Sequence, residues 1–521
     1  MWMSVRRFAQ ASLFISFTAL PSASAQAQPA APTAPANDPP ALAEPNVPTD
    51  AAASDAPQVT SAPKAATIET QLATLTGRPG GLTSETAAAR AASSSIDVRA
   101  READVGAAEA ETDRVLYTSL PRLNLLARYT RLSRIGDQAF GPESGALVVT
   151  SEPPGPLAPG APLIGIPVSA FAFPEVLNQY LLQASVTVPL TDYLLSTSNA
   201  VDAAHQNERS ARLNREATRL QARNQAKLLY YEWVRTRLQV VVAKQTVDQA
   251  KGSLERATTA FAAGRVSKAD VLNAESVLAS AELRVESTES QATLAEERLR
   301  VIMHDSSGAK YEIGEDLFKT MPRTQKQDLS ALLAEARKKR LEFKAMDAAS
   351  ASLSNQSEVS DVRGLPKLEA FGNAYYARPN QRFIPIQDEW RATWDVGVQL
   401  SWSPNDLGVA GSDSRQLEAE RMKIQAQKAA LVDRIQEEIL QAYTSLREAE
   451  LGVTTAQRNL AAAEEAYRVQ RIFYENGRGT SFELVDSETR LLQARIDIVN
   501  LRVARHMAEV ALQHAVGRDV R

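Results

Sequence analysis

The side chains that could do chemistry are few, and their spacing points away from catalysis. The four histidines, His205, His304, His506 and His514, include no pair at the spacing that sets two imidazoles on one helix face around a metal. There is no cysteine, which excludes thiolate metal sites, a thiol nucleophile and disulfides. No nucleophile elbow, phosphate loop or Gly-rich dinucleotide fingerprint is present. What remains is a set of hydroxyls and carboxylates just after two glycine turns. GRVSKADVLNAES begins at Gly264 and GRGTSFELVDSET at Gly477. The glycines suit the left-handed backbone that closes a helix. Ser267 with Asp270, and Thr480 with Glu483, have the spacing of a capping box at the start of the next helix. This is the chemistry of a helix–turn–helix corner. Neither enzymatic activity, a cofactor nor a metal is expected.

The two turns belong to a long internal duplication. At an offset of 213, Tyr230 falls on Tyr443, Leu254 on Tyr467, Phe261 on Tyr474, Glu275 on Glu488 and Leu299 on Leu512. Upstream the offset is 245: SLPRLNLLARY around Pro121 matches GLPKLEAFGNAYY around Pro366, and SIDVRAREAD from Ser95 matches RLEFKAMDAA from Arg340. Each half therefore reads helix, Pro-initiated strand, loop, strand, long helix, tight turn, helix. The 32-residue difference falls in the Pro/Gly-rich stretch 141–174, with seven prolines from Pro153 to Pro174. Such a stretch cannot be a membrane helix, and a long surface loop is expected.

The elements that position the turns carry a heptad signal. Leu446, Val453, Leu460, Tyr467 and Tyr474 recur every seven residues, beside an alanine row of Ala442, Ala449, Ala456 and Ala463. Trp233, Val240, Val247, Leu254 and Phe261, with Ala243, Ala250 and Ala257, repeat the pattern in the first half. A seven-residue repeat packs helices knobs-into-holes, and the alanine row lets backbones approach closely. Lengths also balance. Residues 193–263 would span about 105 Å as one helix, matched by helices over 267–303 and 328–363 together. The second long helix, 407–475, is expected to be matched by 481–516 plus 83–119, with the segment 305–327 at mid-height.

Four segments read as strands: Arg122–Leu132, Tyr180–Leu190, Lys367–Ala377 and Trp390–Ser403. Trp390, Trp394 and Trp402 lie in the last, and Tyr375 and Tyr376 in its partner. Strands of about ten residues with aromatics at their ends fit a transmembrane β-barrel; an ordinary soluble hairpin is the alternative. Four strands cannot close round a pore, and open edges in lipid leave backbone groups unpaired. Membrane-embedded strands would require an oligomer.

The chain has 521 residues. Met1–Ala25 reads as a secretory signal peptide: Arg6 and Arg7, an apolar run from Phe8 to Leu20, then small residues at 23–25. Its removal takes two arginines and no acid, so the formal net charge goes from -4 to -6. That balance argues against nucleic acid as a partner. Residues 26–64 are dominated by Ala and Pro and read as a disordered leader.

Signal peptide, duplicated strand–strand–long-helix halves and two copies of the turn motif together resemble the TolC-type outer-membrane efflux channel family, over about Thr83–Gly517. The resemblance implies a protein that is mostly α with a transmembrane β-barrel. Each chain of a homotrimer would give four strands to a 12-stranded barrel in outer-membrane lipid, continued by an α-helical coiled-coil tunnel through the periplasm. The first repeat would cover 65–303, with its long loop at 133–178, a connector 304–327, and the second repeat 328–521. The resemblance further implies docking with a periplasmic adaptor (membrane fusion) protein and an inner-membrane transporter that supplies the energy. On matching positions, the adaptor-facing turns are Gly264, Arg265, Ser267, Gly477, Arg478 and Thr480. The carboxylate constriction falls on Asp270, Glu483 and Asp486. Glu483 stands where the family more often has Asp, and Asn273 replaces an acid in the first copy. The expected function is passive export of small, drug-like molecules. Type I protein secretion, metal-ion efflux, and a poreless periplasmic adaptor or scaffold are the alternatives.

Overall fold

The computed structural model describes residues 68–134, 146–150, 159–160, 163–167, 176–319, 327–384 and 386–519. The chain divides into two units, Met1–Lys64 and Ala65–Arg521, and every described residue belongs to the second. The expected signal peptide and leader lie outside the described residues, as does much of the long loop.

The second unit starts with a short helix α1 (Ile68–Leu75), then α2 (Ser84–Ser94), α3 (Ile96–Thr118) and strand β1 (Arg122–Arg131). A small hairpin of β2 (Ala146–Thr150) and β3 (Leu163–Pro167) lies inside the stretch expected as loop, and pairs with itself. There follow β4 (Asn178–Pro189), one turn α4 (Leu190–Leu195), the long α5 (Thr197–Ala262) and its return α6 (Lys268–Met303). Then come α7 (Leu329–Lys339), α8 (Leu341–Arg363), β5 (Lys367–Arg378), β6 (Arg391–Ser401), the long α9 (Asn405–Glu475) and its return α10 (Ser481–Val516).

Two helices expected to be continuous are each broken at one residue. Ser95 (φ −58°, ψ 128°) separates α2 from α3, and Arg340 (φ −60°, ψ 127°) separates α7 from α8. Each break seats the end of a return helix. The Ser94 hydroxyl donates to the Met303 carbonyl at the end of α6 (3.1 Å). The buried Arg340 guanidinium donates to the His514 and Ala515 carbonyls at the end of α10 (3.4 and 3.3 Å), and pairs with Glu342 and Glu438. The last carbonyls of a helix lack intrahelical partners, and a cation there is favourable. Local propensity at 95 and 340 did not reveal the breaks because tertiary contacts make them.

The heptad rows form the core. Trp233, Val234, Leu299, Ile498, Val499 and Val503 are fully buried in one cluster, and Ile435, Ile439, Leu446 and Leu512 are buried in a second. Ala243, Ala250 and Ala257 are buried, as are Ala442, Ala449 and Ala456. Helix α5 is covered by α6 and α8, as the lengths require. Helix α9 is covered by α10 and α8, while α3, expected only to balance it in length, packs on α5 within the chain. The outer face of α3 and one flank of α9 are thus left as opposite sides of the helix layer. The connector after α6 is clamped by a parallel bridge between Leu82 and Ile313. There Gly81 and Gly314 touch backbone to backbone, and a Cβ on Gly314 would stand 2.4 Å from the Gly81 oxygen.

The four longer strands form one antiparallel sheet in the order β1-β4-β5-β6. Its register aligns Leu123, Val186, Gly372 and Val396 in one row, and Leu125, Ala184, Ala374 and Trp394 in another, on one face. The opposite face carries Asn124, Ser185, Asn373 and Asp395 in one row, then Leu126, Gln183, Tyr375 and Thr393. On the apolar face Leu125, Trp394, Val396, Val398 and Leu400 are 65–76% exposed. A patch of that size is a surface made to be covered.

Candidate functional site: the helical turns and the two-faced sheet

The two turns are built by identical local rules. The helix before each ends in a Schellman motif. Gly264 N–H donates to the Phe261 carbonyl (2.9 Å) and Arg265 N–H to Ala260 (2.8 Å); Gly477 N–H donates to Tyr474 (3.0 Å) and Arg478 N–H to Phe473 (2.8 Å). Gly264 and Gly477 take φ of 71° and 69°, a region that a Cβ disfavours. Both capping boxes form. Ser267 Oγ accepts from Asp270 N–H (3.3 Å), while Asp270 Oδ2 accepts from Ser267 N–H (2.9 Å). Thr480 Oγ1 accepts from Glu483 N–H (3.3 Å), while Glu483 Oε2 accepts from Thr480 N–H (2.9 Å). The side chains of Arg265 and Arg478 are exposed.

The three carboxylates expected at a constriction therefore have partners. Asp270 accepts through Oδ1 from the Ser481 hydroxyl of the other turn, which holds its carboxyl below the usual aspartate range, with Ser267 adding to the effect. Glu483 is held low by the Thr480 backbone N–H and hydroxyl, and also accepts from Gln470 Nε2 at 2.9 Å. Asp486 pairs with Arg490 one turn on, at 2.9 Å. Motif matching named the acids and missed Ser481 and Arg490. The Arg490 signal was present as an i, i+4 acid–base pair.

Further up, polar contacts fasten α5 to α10. Ser253 donates to Glu488 Oε1 (2.6 Å), Arg495 Nη1 to Gln249 Oε1 (2.7 Å), and Gln239 Nε2 to Asn500 Oδ1 (2.7 Å). Burial pushes the Glu488 carboxyl up and the Arg495 guanidinium down. A groove of about 560 Å³ runs between α9 and α10 beside the turn, lined by Ala463, Gln470, Phe482, Glu483, Asp486 and Arg490. Phe482 stands 76% exposed at its end. Among the described residues no cluster of His, Asp or Glu could hold a metal.

At the other end the sheet is finished by aromatics. Tyr129, Tyr180, Trp390 and Tyr376 touch in series, with centroids 5.1, 5.8 and 4.9 Å apart; the first two pairs are tilted and the last is stacked. Trp402 marks the opposite end of β6 and donates Nε1–H to the Gly364 carbonyl (3.1 Å). Aromatic girdles flanking an apolar band are the interface pattern of a barrel in lipid. Among the described residues no helix is long and apolar enough to cross a membrane.

No curated protein matches the chain in sequence. Solved structures match it in fold. The outer-membrane channel OprN superposes with a TM-score of 0.65 at 17% identity, covering 83% of this chain and 89% of its own. VceC, an outer membrane protein of Vibrio cholerae, gives 0.64 at 16%, covering 83% and 96%. The CmeC outer membrane channel of Campylobacter jejuni gives 0.63 at 13%, covering 84% and 89%. The family model described as outer membrane efflux protein matches residues 87–303 and 332–518. The turns, the paired long helices and the two-faced sheet all lie inside those spans, so this chain belongs to the outer membrane efflux protein family, whose members are outer-membrane channels extending into the periplasm.

Proposed function

We propose that three copies of this chain close a 12-stranded barrel and a helical tunnel that conducts small, drug-like molecules outward, without chemistry in this subunit. The observation that carries the reading is the sheet: one apolar face and two unpaired edges, β1 and β6. In lipid such edges must be closed by other copies, and three is the number the family resemblance implies. The helices support the same closure. Leu272, Leu283 and Leu294 recur every 11 residues on α6, and Leu440, Leu451 and, two repeats further, Phe473 follow the same spacing on α9, with Ala462 between; these leucines and the phenylalanine are 45–72% exposed. An 11-residue repeat returns to nearly the same side of a helix after three turns. The two rows would meet across the seam between neighbouring chains.

The division into a first repeat (65–303), a connector (304–327) and a second repeat (328–521) is supported by the matching dihedrals at Ser95 and Arg340 and by the twin turns. The turns at Gly264, Arg265, Ser267 and Gly477, Arg478, Thr480 would meet a periplasmic adaptor that couples the duct to an inner-membrane transporter. Asp270, Glu483 and Asp486 would ring the constriction, with Arg490 balancing Asp486.

Planar-bilayer conductance of the trimer, purified without residues 1–25, tests this. Arg490→Gln should shift the reversal potential in a KCl gradient toward cation selectivity, and Asp486→Asn toward anion selectivity. Inserted trimers whose selectivity ignores both substitutions would remove these side chains from the constriction. Folded, inserted protein with no conductance in any variant would count against the duct itself.

A further inference from the structure

The connection from β5 to β6 does not stand clear of the sheet. Asn380, 5% exposed, donates through Nδ2 to the Arg391 carbonyl (3.0 Å) and Thr393 Oγ1 (3.1 Å), and its Oδ1 accepts from Arg382 N–H (3.1 Å). Arg382 then reaches further down the strand. It donates through Nη1 to the Trp394 carbonyl (3.0 Å), pairs with Asp395, and lies 5.2 Å above the Tyr375 ring centroid. Thr393, Asp395 and Tyr375 all sit on the polar face of the sheet. Residues 379–384 are therefore bent back over the face that a closed barrel turns toward its lumen. The contacts made by Asn380 and the Arg382 side chain run from Arg391 to Asp395, about 13 Å along the strand.

The sheet is prepared for this contact. Asn373 Nδ2 donates to Asp395 Oδ1 at 2.7 Å, leaving Oδ2 for the guanidinium. An arginine held by a carboxylate, a carbonyl and an aromatic face is fixed by three kinds of contact that a lysine would not reproduce. Arg391 lies 4.6 Å from the Phe383 ring centroid, which pins the next residue of the arm.

We propose that residues 379–384 form an inward-folded arm that narrows the outer mouth of the barrel, and that Arg382 is its positioning residue. Three such arms, one from each chain, set the largest solute that passes. The inference rests on the trimeric barrel proposed above, and the experiment separates the two.

The chain has no cysteine, so Thr187→Cys places a single thiol in the polar-face row one step deeper than Asp395. Intact cells are treated from outside with a small charged methanethiosulfonate and, separately, with a maleimide on a long polyethylene glycol chain. The small reagent should label at one rate with and without Arg382→Ala. The long reagent should label about tenfold faster in Arg382→Ala, the order of shift expected when an ion pair and a cation–π contact no longer hold one of two states. Arg382→Lys should fall between. Exchanging the charges (Arg382→Glu with Asp395→Arg) should restore much of the exclusion. Unchanged long-reagent rates beside normal small-reagent labelling would overturn the arm and leave the barrel standing. No labelling by either reagent in any variant would overturn the barrel reading, and the arm with it. Should Arg382→Ala lose the trimer on gels, Asp395→Asn removes the same ion pair from the sheet side and must give the same acceleration.

Discussion

Gly264 and Gly477 have nearly the same φ, and the turns around them share the same caps, yet the helices that follow meet different surroundings. On α10, Glu488 is half-buried against α5 and accepts from Ser253. Its counterpart on α6, Glu275, is exposed, and the counterpart of Ser253 is Ala466 on α9. The other α5–α10 bonds have the same fate. Gln239 and Gln249 correspond to Gly452 and Ala462. The α5–α10 seam inside the chain is thus fastened by polar pairs, while its pseudo-equivalent, α9 against a neighbour's α6 in the proposed trimer, presents small residues and a leucine row. Buried hydrogen bonds fix partner and register, whereas small apolar faces permit close approach and sliding. In that proposed trimer, two copies of one hairpin would be divided between those jobs.

The contrast breaks most visibly at the paired glutamates. Glu488→Ala leaves the half-buried Ser253 hydroxyl without its acceptor and removes a carboxylate that faces Arg256, and should cost about 2 kcal/mol of stability. Glu275→Ala should stay within about 0.5 kcal/mol, as exposed substitutions do. Circular-dichroism melts of the two variants in detergent would measure the difference. Equal losses would mean that the two hairpins are equivalent in the assembly.

At the glycines the two copies should behave alike, because only local geometry is involved. Gly264→Ala and Gly477→Ala each force a Cβ into the left-handed region, at about 1–2 kcal/mol. Nothing lies within 4 Å of where either Cβ would sit, so no clash separates the two. The same melts serve here. A markedly larger loss at one turn would show that its backbone contacts something beyond the hairpin.

Those expectations mark what the sequence could disclose. The turns, both capping boxes, the return helix Ser481–Val516 and the buried alanine rows were legible because each depends on residues within one heptad of one another. The strands were legible from their alternation, though β4 begins two residues earlier and β6 one residue later than expected. The breaks at Ser95 and Arg340 were not, since each is made by the end of a helix more than 170 residues away. Lengths balanced α3 and α10 against α9 but said nothing of which long helix α3 packs on, which within the chain is α5. At the turns, spacing named Asp270 and Glu483 and the family resemblance added Asp486, but both were silent on Ser481, whose first-copy counterpart is Lys268. That link is non-reciprocal, and no duplication argument could have found it.

The smallest effect probes that link. Asp270 has a folded-state pKa below its ordinary 3.8, with the Ser481 hydroxyl as the largest cause. A carboxylate depressed in this way stabilises the fold above its unfolded value, and that contribution is lost as pH falls through the depressed folded one. The joined turns should therefore hold at neutral pH and loosen only below about pH 3.8. Glu483, held low from within its own turn, should lose its contribution below about its ordinary 4.5 without needing the other hairpin. Ser481→Ala keeps both capping boxes and removes only the bond between turns. It should move the Asp270 acid step upward toward 3.8, while Lys268→Ala leaves it in place. Conductance recorded down a pH series for the wild type and both variants would report the step, if the turns line the constriction. The same midpoint in Ser481→Ala as in the wild type would mean that Asp270 is held by its own turn alone, and the two hairpins would then be fastened only along α5 and α10.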